Sequence, residues 1–165
     1  MTKFTIRKIR TEETGLLRDF LYEAIYVPQG MKPPDRSIID RPELHLYIED
    51  FGKKADDHCL VAEVKGKVVG AVWARIMDDY GHIDDETPSL AISLYPEYRN
   101  MGIGTALMKE MLSLLSCSGY RRASLSVQKE NYAVRMYRSL GFHVMRAENE
   151  EFIMVVHWGL SPVYH

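Results

Sequence analysis

Leu94-Tyr95-Pro96-Glu97-Tyr98-Arg99-Asn100-Met101-Gly102-Ile103-Gly104-Thr105-Ala106-Leu107 carries the chain from the end of an apolar run into the start of an amphipathic one. The residues before it, 90–94, are nearly all apolar, as a strand buried on both faces would be. Those after it place Ile103, Leu107, Met111, Leu114 and Leu115 at helical spacing, and this predicts a helix to about Ser118, ended by Gly119. A strand, a short polar loop and a glycine-opened helix aim bare backbone N–H groups at one point. Helix N-termini carry several unsatisfied donors and about half a positive charge, so that point suits an anion, above all a phosphate. Glycines let the anion come close to the main chain.

Residues 123–127 read as the next strand. Asn131 can cap a short helix with Val134, Met136, Tyr137 and Leu140, closed by Gly141. Residues 142–145 and 152–158 read as two last strands around the polar turn 147–151. Towards the N-terminus, residues 59–64 and 68–77 form a hairpin signal around Lys65-Gly66-Lys67. Residues 4–8 alternate as a strand. Thr11 can cap a helix with Leu16, Leu17, Phe20, Leu21, Ala24 and Ile25. Residues 28–36 form a proline-rich loop, and a second helix after Pro42 carries Leu44, Tyr47, Ile48 and Phe51. The order β-α-α-β-β-β-α-β-α-β-β implies a mixed α/β fold with one sheet and helices on both faces. No repeat or linker divides residues 1–165, which read as a single domain.

A net charge of −2 and a pI near 6.3 give no support for nucleic-acid binding. No run approaches a membrane span and the N-terminus has no apolar signal core, so neither membrane nor export is expected. The two cysteines, Cys59 and Cys117, read as small core residues in a reducing, cytoplasmic compartment. The histidines, His165 included, show no metal spacing, and no metal is expected.

The glycine loop lacks the lysine of a nucleotide P-loop and the third glycine of the dinucleotide fingerprint. Arg99-x-x-Gly102-x-Gly104 resembles instead the acetyl-CoA pyrophosphate loop of the GCN5-related N-acetyltransferases (GNAT). Asn131 resembles the asparagine that often contacts the cofactor there, and Tyr137 with Leu140-Gly141-Phe142 resembles the family's Tyr…Gly-Phe segment. The likeness spans about residues 4–158. It implies a central, mostly antiparallel sheet of six to seven strands, with one strand pair splayed to admit acetyl-CoA. It also implies direct acetyl transfer to a primary amine of a small molecule or peptide.

The resemblance assigns expected roles. Main-chain groups of Ile92, Ser93 and Leu94 would pair with the pantetheine amides. Arg99, Asn100, Met101, Gly102, Ile103, Gly104 and Thr105 would hold the pyrophosphate, and Asn131 and Tyr137 would complete the cofactor site. A thiol near pKa 8.5 can take a proton from a well-placed tyrosine, which makes Tyr137 the expected general acid. Proximity makes Glu86 a candidate base, beside a water held by Ser89, with His82 a weaker option. By analogy Tyr22, Tyr26, Gln29 and Met31, with residues 147–151, wall the acceptor site. The alternatives are a non-catalytic acyl-CoA-binding module and a transferase acting on a protein N-terminus. Homodimers are common in the family, so a homodimer is one expected state.

Overall fold

Lys65 and Gly66, both at positive φ (50° and 81°), turn β2 (His58–Val64) back onto β3 (Lys67–Arg75). In this computed structural model, which describes residues 2–79 and 81–158, that hairpin is the centre of the first half of a seven-stranded sheet. His165 lies outside the described residues. β1 (Thr5–Lys8) flanks β2, and β4 (Ser89–Leu94) flanks β3, all antiparallel. β5 (Arg122–Gln128), β6 (His143–Glu148) and β7 (Glu151–His157) form the other half, in the sheet order β1-β2-β3-β4-β5-β7-β6. β4 and β5 are the one parallel neighbour pair in that order. The expected sheet is therefore present, with its full seven strands.

Alternation along the strands sends two apolar sets to opposite faces. Leu60, Ala62 and Val64 of β2 join Val72, Leu90, Leu125 and Met154 beneath α3 (Ile103–Cys117), together with Ile103, Leu107, Met111 and Leu115 of that helix. Tyr137 of α4 (Ala133–Ser139) belongs to the same cluster. Cys59, Val61, Ala71 and Trp73 face the other way, against Leu17, Phe20 and Leu21 of α1 (Leu17–Glu23) and against Ile39 and Ile48. Helices thus cover both faces.

Three sequence expectations change. The first helix is a 3-10 turn, Thr11–Leu16, leading into a short α1, since Thr14 and Gly15 are weak helix formers. Its cap is Arg10, whose N–H donates to Glu13 Oε1 at 2.9 Å, and not Thr11. The second helix shrinks to α2 (Pro42–His45), preceded by a 3-10 turn at Arg36–Asp40. Beyond α2 the chain runs in turns that reach positive φ at Asp50 and Gly52, although Tyr47, Ile48 and Phe51 still pack inward. Their anchor is Arg75, 3% exposed, which forms a two-pronged ion pair with Asp57 (3.0 and 2.9 Å) and donates to Leu46 O and Glu49 O. Finally, Cys59 is buried as expected but Cys117 is exposed, because it falls on the outer side of the last turn of α3.

Candidate active site

Parallel strands β4 and β5 are matched in register only at Ser89 and Ser124, where Ser124 N–H also donates to Pro88 O at 3.0 Å. By contrast β4 meets β3 over its whole length. From Ser89 onward β4 and β5 part, so the sheet opens as a V towards Leu94. Strand alternation decides which β4 groups line it. Tyr95 N–H donates to Val69 O of β3, and Pro88 O accepts from β5. The even-numbered residues between them, Leu90, Ile92 and Leu94, therefore turn their main-chain N–H and C=O towards the gap. The side chains of Ile92 and Leu94 pack on the core beneath α3, as expected of them. Ser93 points to the opposite face, where its hydroxyl donates to Phe20 O at 2.6 Å and pins α1 onto β4.

The glycine loop closes the wide end of the V. A 3-10 turn at Pro96–Tyr98 engages Arg99 N–H with Pro96 O. The next backbone donor with a partner is Ala106, which bonds Gly102 O at 3.1 Å. Among the described residues, the N–H groups of Asn100 to Thr105 have no partner, so the run of free donors starts one residue later than the motif suggests. Asn100 (φ 61°) and Gly102 (φ 84°) are both left-handed, a conformation that gathers successive N–H groups into an anion-binding concavity. A Cβ on Gly102 would meet nothing within 4 Å, so the space before the loop is open. The Arg99 side chain faces inward. Its guanidinium donates to Leu94 O at 3.3 Å and to Glu23 O and Oε1 at 3.3 and 3.2 Å, tying the loop to β4 and α1. Its side chain positions the loop. Met101 is exposed, and Ile103 is fully buried and seats α3.

α4 forms the other wall. A Cβ at Gly104 would lie 3.5 Å from Leu94 Cδ1 and 3.9 Å from Met136 Sδ, so the end of β4, the first turn of α3 and the middle of α4 meet there. Asn131 Oδ1 accepts from Ala133 N–H at 2.9 Å just ahead of α4, whose N-cap position is Tyr132 rather than the expected Asn131, and its amide NH2 is free of partners among the described residues. Tyr137 is 7% exposed, with its ring 5.7 Å from that of Phe142. Its hydroxyl has no hydrogen-bond partner among the described residues. Burial alone pushes its pKa up to about 12, so it stays protonated throughout the neutral range.

The other expected residues scatter. Glu86 is exposed in the turn before β4, its N–H donating to Asp84 Oδ1 at 2.8 Å. It lines an open depression with Asp56, Tyr120 and Arg122, at the end of the sheet where β4 and β5 begin. His82 is held by Met77 O and Asp85. Tyr22 donates to Pro34 O at 2.5 Å under the Arg36 guanidinium and fastens the proline-rich loop to α1. Tyr26 reaches Glu130 O at 3.5 Å, across from α1 to the loop before α4. Gln29 and Met31 are exposed on the intervening loop.

A group the motif does not mark lies at the apex. Asp79 Oδ1 accepts from Ser89 Oγ, and Oδ2 accepts from Tyr47 OH, both at 3.0 Å. Gly81 packs against both Asp79 and Ser126 of β5. Burial first, then the Asp79 charge, pushes the Tyr47 hydroxyl well above the ordinary tyrosine range, and the nearby Ser126 hydroxyl opposes this. Among the described residues, no set of three or more His, Cys, Asp and Glu is grouped to hold a metal ion, and no helix is long and apolar enough to cross a membrane.

Comparison with known proteins agrees with this geometry. Residues 21–142 match the model of the acetyltransferase (GNAT) family. The chain is 32% identical over 105 residues to the probable N-acetyltransferase camello of Xenopus tropicalis, covering 62% of this chain and 47% of that protein. It is 33% identical over 107 residues to an N-alpha-acetyltransferase of Sulfurisphaera tokodaii, covering 59% of this chain and 63% of the other. The chain thus spans about half to three fifths of these relatives' lengths. Its fold matches that of the PaiA N-acetyltransferase of Thermoplasma acidophilum, solved in complex with coenzyme A, with TM-score 0.70, 22% identity, and 94% and 99% of the two chains covered. Since the family model spans most of the chain, glycine loop and α4 included, the chain belongs to the GCN5-related N-acetyltransferase (GNAT) family.

Proposed function

We propose that the chain is an acetyl-CoA-dependent N-acetyltransferase that acts on a primary amine of a small molecule or peptide. The V between β4 and β5, closed at its wide end by the partnerless N–H groups of the glycine loop, carries this reading. The fit to coenzyme A is specific in two places. Ile92 offers unpaired main-chain groups to an extended amide chain, in the manner of an added strand. Residues 100–105 offer donors and open space to a pyrophosphate. The bound coenzyme A of the Thermoplasma relative and the N-acetyltransferase names of the curated relatives support the same reading.

Acetyl-CoA supplies the activated acyl carbon and a thiolate leaving group. This chain's residues supply position and protons. The loop N–H groups and the Ile92 main chain hold the donor, and the Asn131 amide steadies its middle. Tyr137 hands its phenolic proton to the departing sulfur. Burial keeps this phenol protonated at neutral pH, so it is available to donate as charge develops on sulfur. Cofactor binding alone does not require a tyrosine at this position, and its presence favours an enzyme over a silent binding module. Two free cysteines suit a reducing compartment such as the cytoplasm.

A thiol-release assay with acetyl-CoA over a panel of amines, polyamines and peptides with free N-termini tests the proposal. We expect acceptor-stimulated release, and a fall of about 10²–10⁴ in kcat for Tyr137→Phe with acetyl-CoA affinity kept. Acetyl-CoA binding without release on any acceptor would establish the silent module instead.

A further inference from the structure

We propose that Asp79 takes the proton from the acceptor amine, held for that task by Tyr47 and Ser89. This rests on the transferase reading above and assigns the role for which the motif offers only Glu86.

Four observations meet at one place. Asp79 sits beside the narrow end of the V: one carboxylate oxygen accepts from Ser89 on β4, the other from Tyr47, and a Cβ on Gly81 in the same loop would lie 3.6 Å from Ser126 Cβ on β5. Each oxygen receives one donor, so each keeps a lone pair for a further proton or donor. Ser124 stands opposite Ser89 in the only β4–β5 register pair. It is fully buried, and its hydroxyl has no partner among the described residues. Paired residues on neighbouring strands send their side chains to the same face, so this orphan hydroxyl lies on the face that Ser89 and Asp79 share. A buried hydroxyl without a partner costs stability, and a bound water or an acceptor N–H would satisfy it. Asp79 itself is only partly buried, whereas Glu86 is exposed and lines a depression with Asp56, Tyr120 and Arg122 that does not include Asp79. Tyr47 is the titratable group bonded to Asp79 and feels the charge of Glu151 on β7; His82 of the same loop is engaged with Met77 O and Asp85.

The step balances. The free amine attacks the acyl carbon, the C–N bond forms and the C–S bond breaks. The N–H proton that becomes acidic as the C–N bond forms passes to Asp79, directly or across one water, and the sulfur receives the Tyr137 proton. Exchange with solvent restores both residues.

The test compares wild type, Asp79→Asn, Tyr47→Phe and Glu86→Gln with the best amine from the panel. Asp79→Asn should lower kcat/KM by about 10²–10⁴ at neutral pH, leave acetyl-CoA affinity and melting temperature near wild type, and lose one acid-side ionisation from the kcat/KM–pH profile. Tyr47→Phe, which keeps the packing, should retain that ionisation at a shifted position. Glu86→Gln should match wild type. An Asp79→Asn enzyme with wild-type rate, or with a uniform loss and an unchanged profile, overturns the role of Asp79 alone. A wild-type chain that releases no thiol with any acceptor overturns the transferase reading, and Asp79's role with it.

Discussion

Gly102 and Gly104 share one motif but answer to different constraints. Gly102 sits at φ 84° with open space around it, so any side chain there strains the backbone without meeting a neighbour. Gly102→Ala should cost about 1–2 kcal/mol in urea unfolding, the penalty of a left-handed L-residue, and weaken coenzyme A binding by calorimetry. Gly104 is helical, and a methyl there would make ordinary contacts with Leu94 and Met136. Alanine is the better helix former, so Gly104→Ala should leave stability unchanged or raised by up to about 1 kcal/mol, with binding kept. The motif spacing marks both glycines alike, and only the backbone angles separate them. Arg99 teaches a related point. The sequence puts it in the anion loop, but its guanidinium holds Leu94 and Glu23, and the free donors belong to its neighbours.

At the scale of elements, short pieces are fixed by polar staples where propensity is weak. Arg7 of β1 holds Glu13 of the 3-10 turn at 2.8 Å and Glu63 of β2 at 2.9 Å. Arg7, and then the Arg10 N–H, lower the Glu13 carboxyl to about 2. An unfolded glutamate titrates near 4.3, so the folded state binds its proton less readily. Stability from this contact is therefore complete above about pH 4.3 and declines as pH falls towards 2. Urea midpoints for wild type and Glu13→Gln should converge across that window; a constant gap would remove Glu13 from the acid response. The buried Arg75–Asp57 pair has a larger effect. Removing Asp57 as alanine strands a guanidinium that is 3% exposed, and should destabilise the fold by about 3–5 kcal/mol in denaturant unfolding. That pair holds Tyr47 and its neighbours where α2 has already ended, so a loss there also slackens the contact with Asp79.

Over the whole molecule, the two halves of the sheet touch through one register pair between β4 and β5, and a ligand in the V would join them. Coenzyme A at 100 times its Kd should add about 2.7 kcal/mol to stability. Hydrogen exchange should slow at Ile92 and at residues 102–105; unchanged exchange there, with binding present, would move the cofactor elsewhere. The sequence by itself determined the element order, the two apolar faces and the glycine loop. These rest on local periodicity and spacing, which a linear pattern records. It overextended the first two helices, because apolar spacing persists where Gly15 and the turn beyond His45 break the helical backbone. It placed Cys117 inside, because one residue at the end of a helix carries no phase information. Only the tertiary structure decided which polar residues meet. Asp79, Tyr47, Ser89 and Ser124 come from four separate segments, and no spacing along the chain encodes their meeting. It arises because the sheet brings β4 and β5 together at one point and then lets them part.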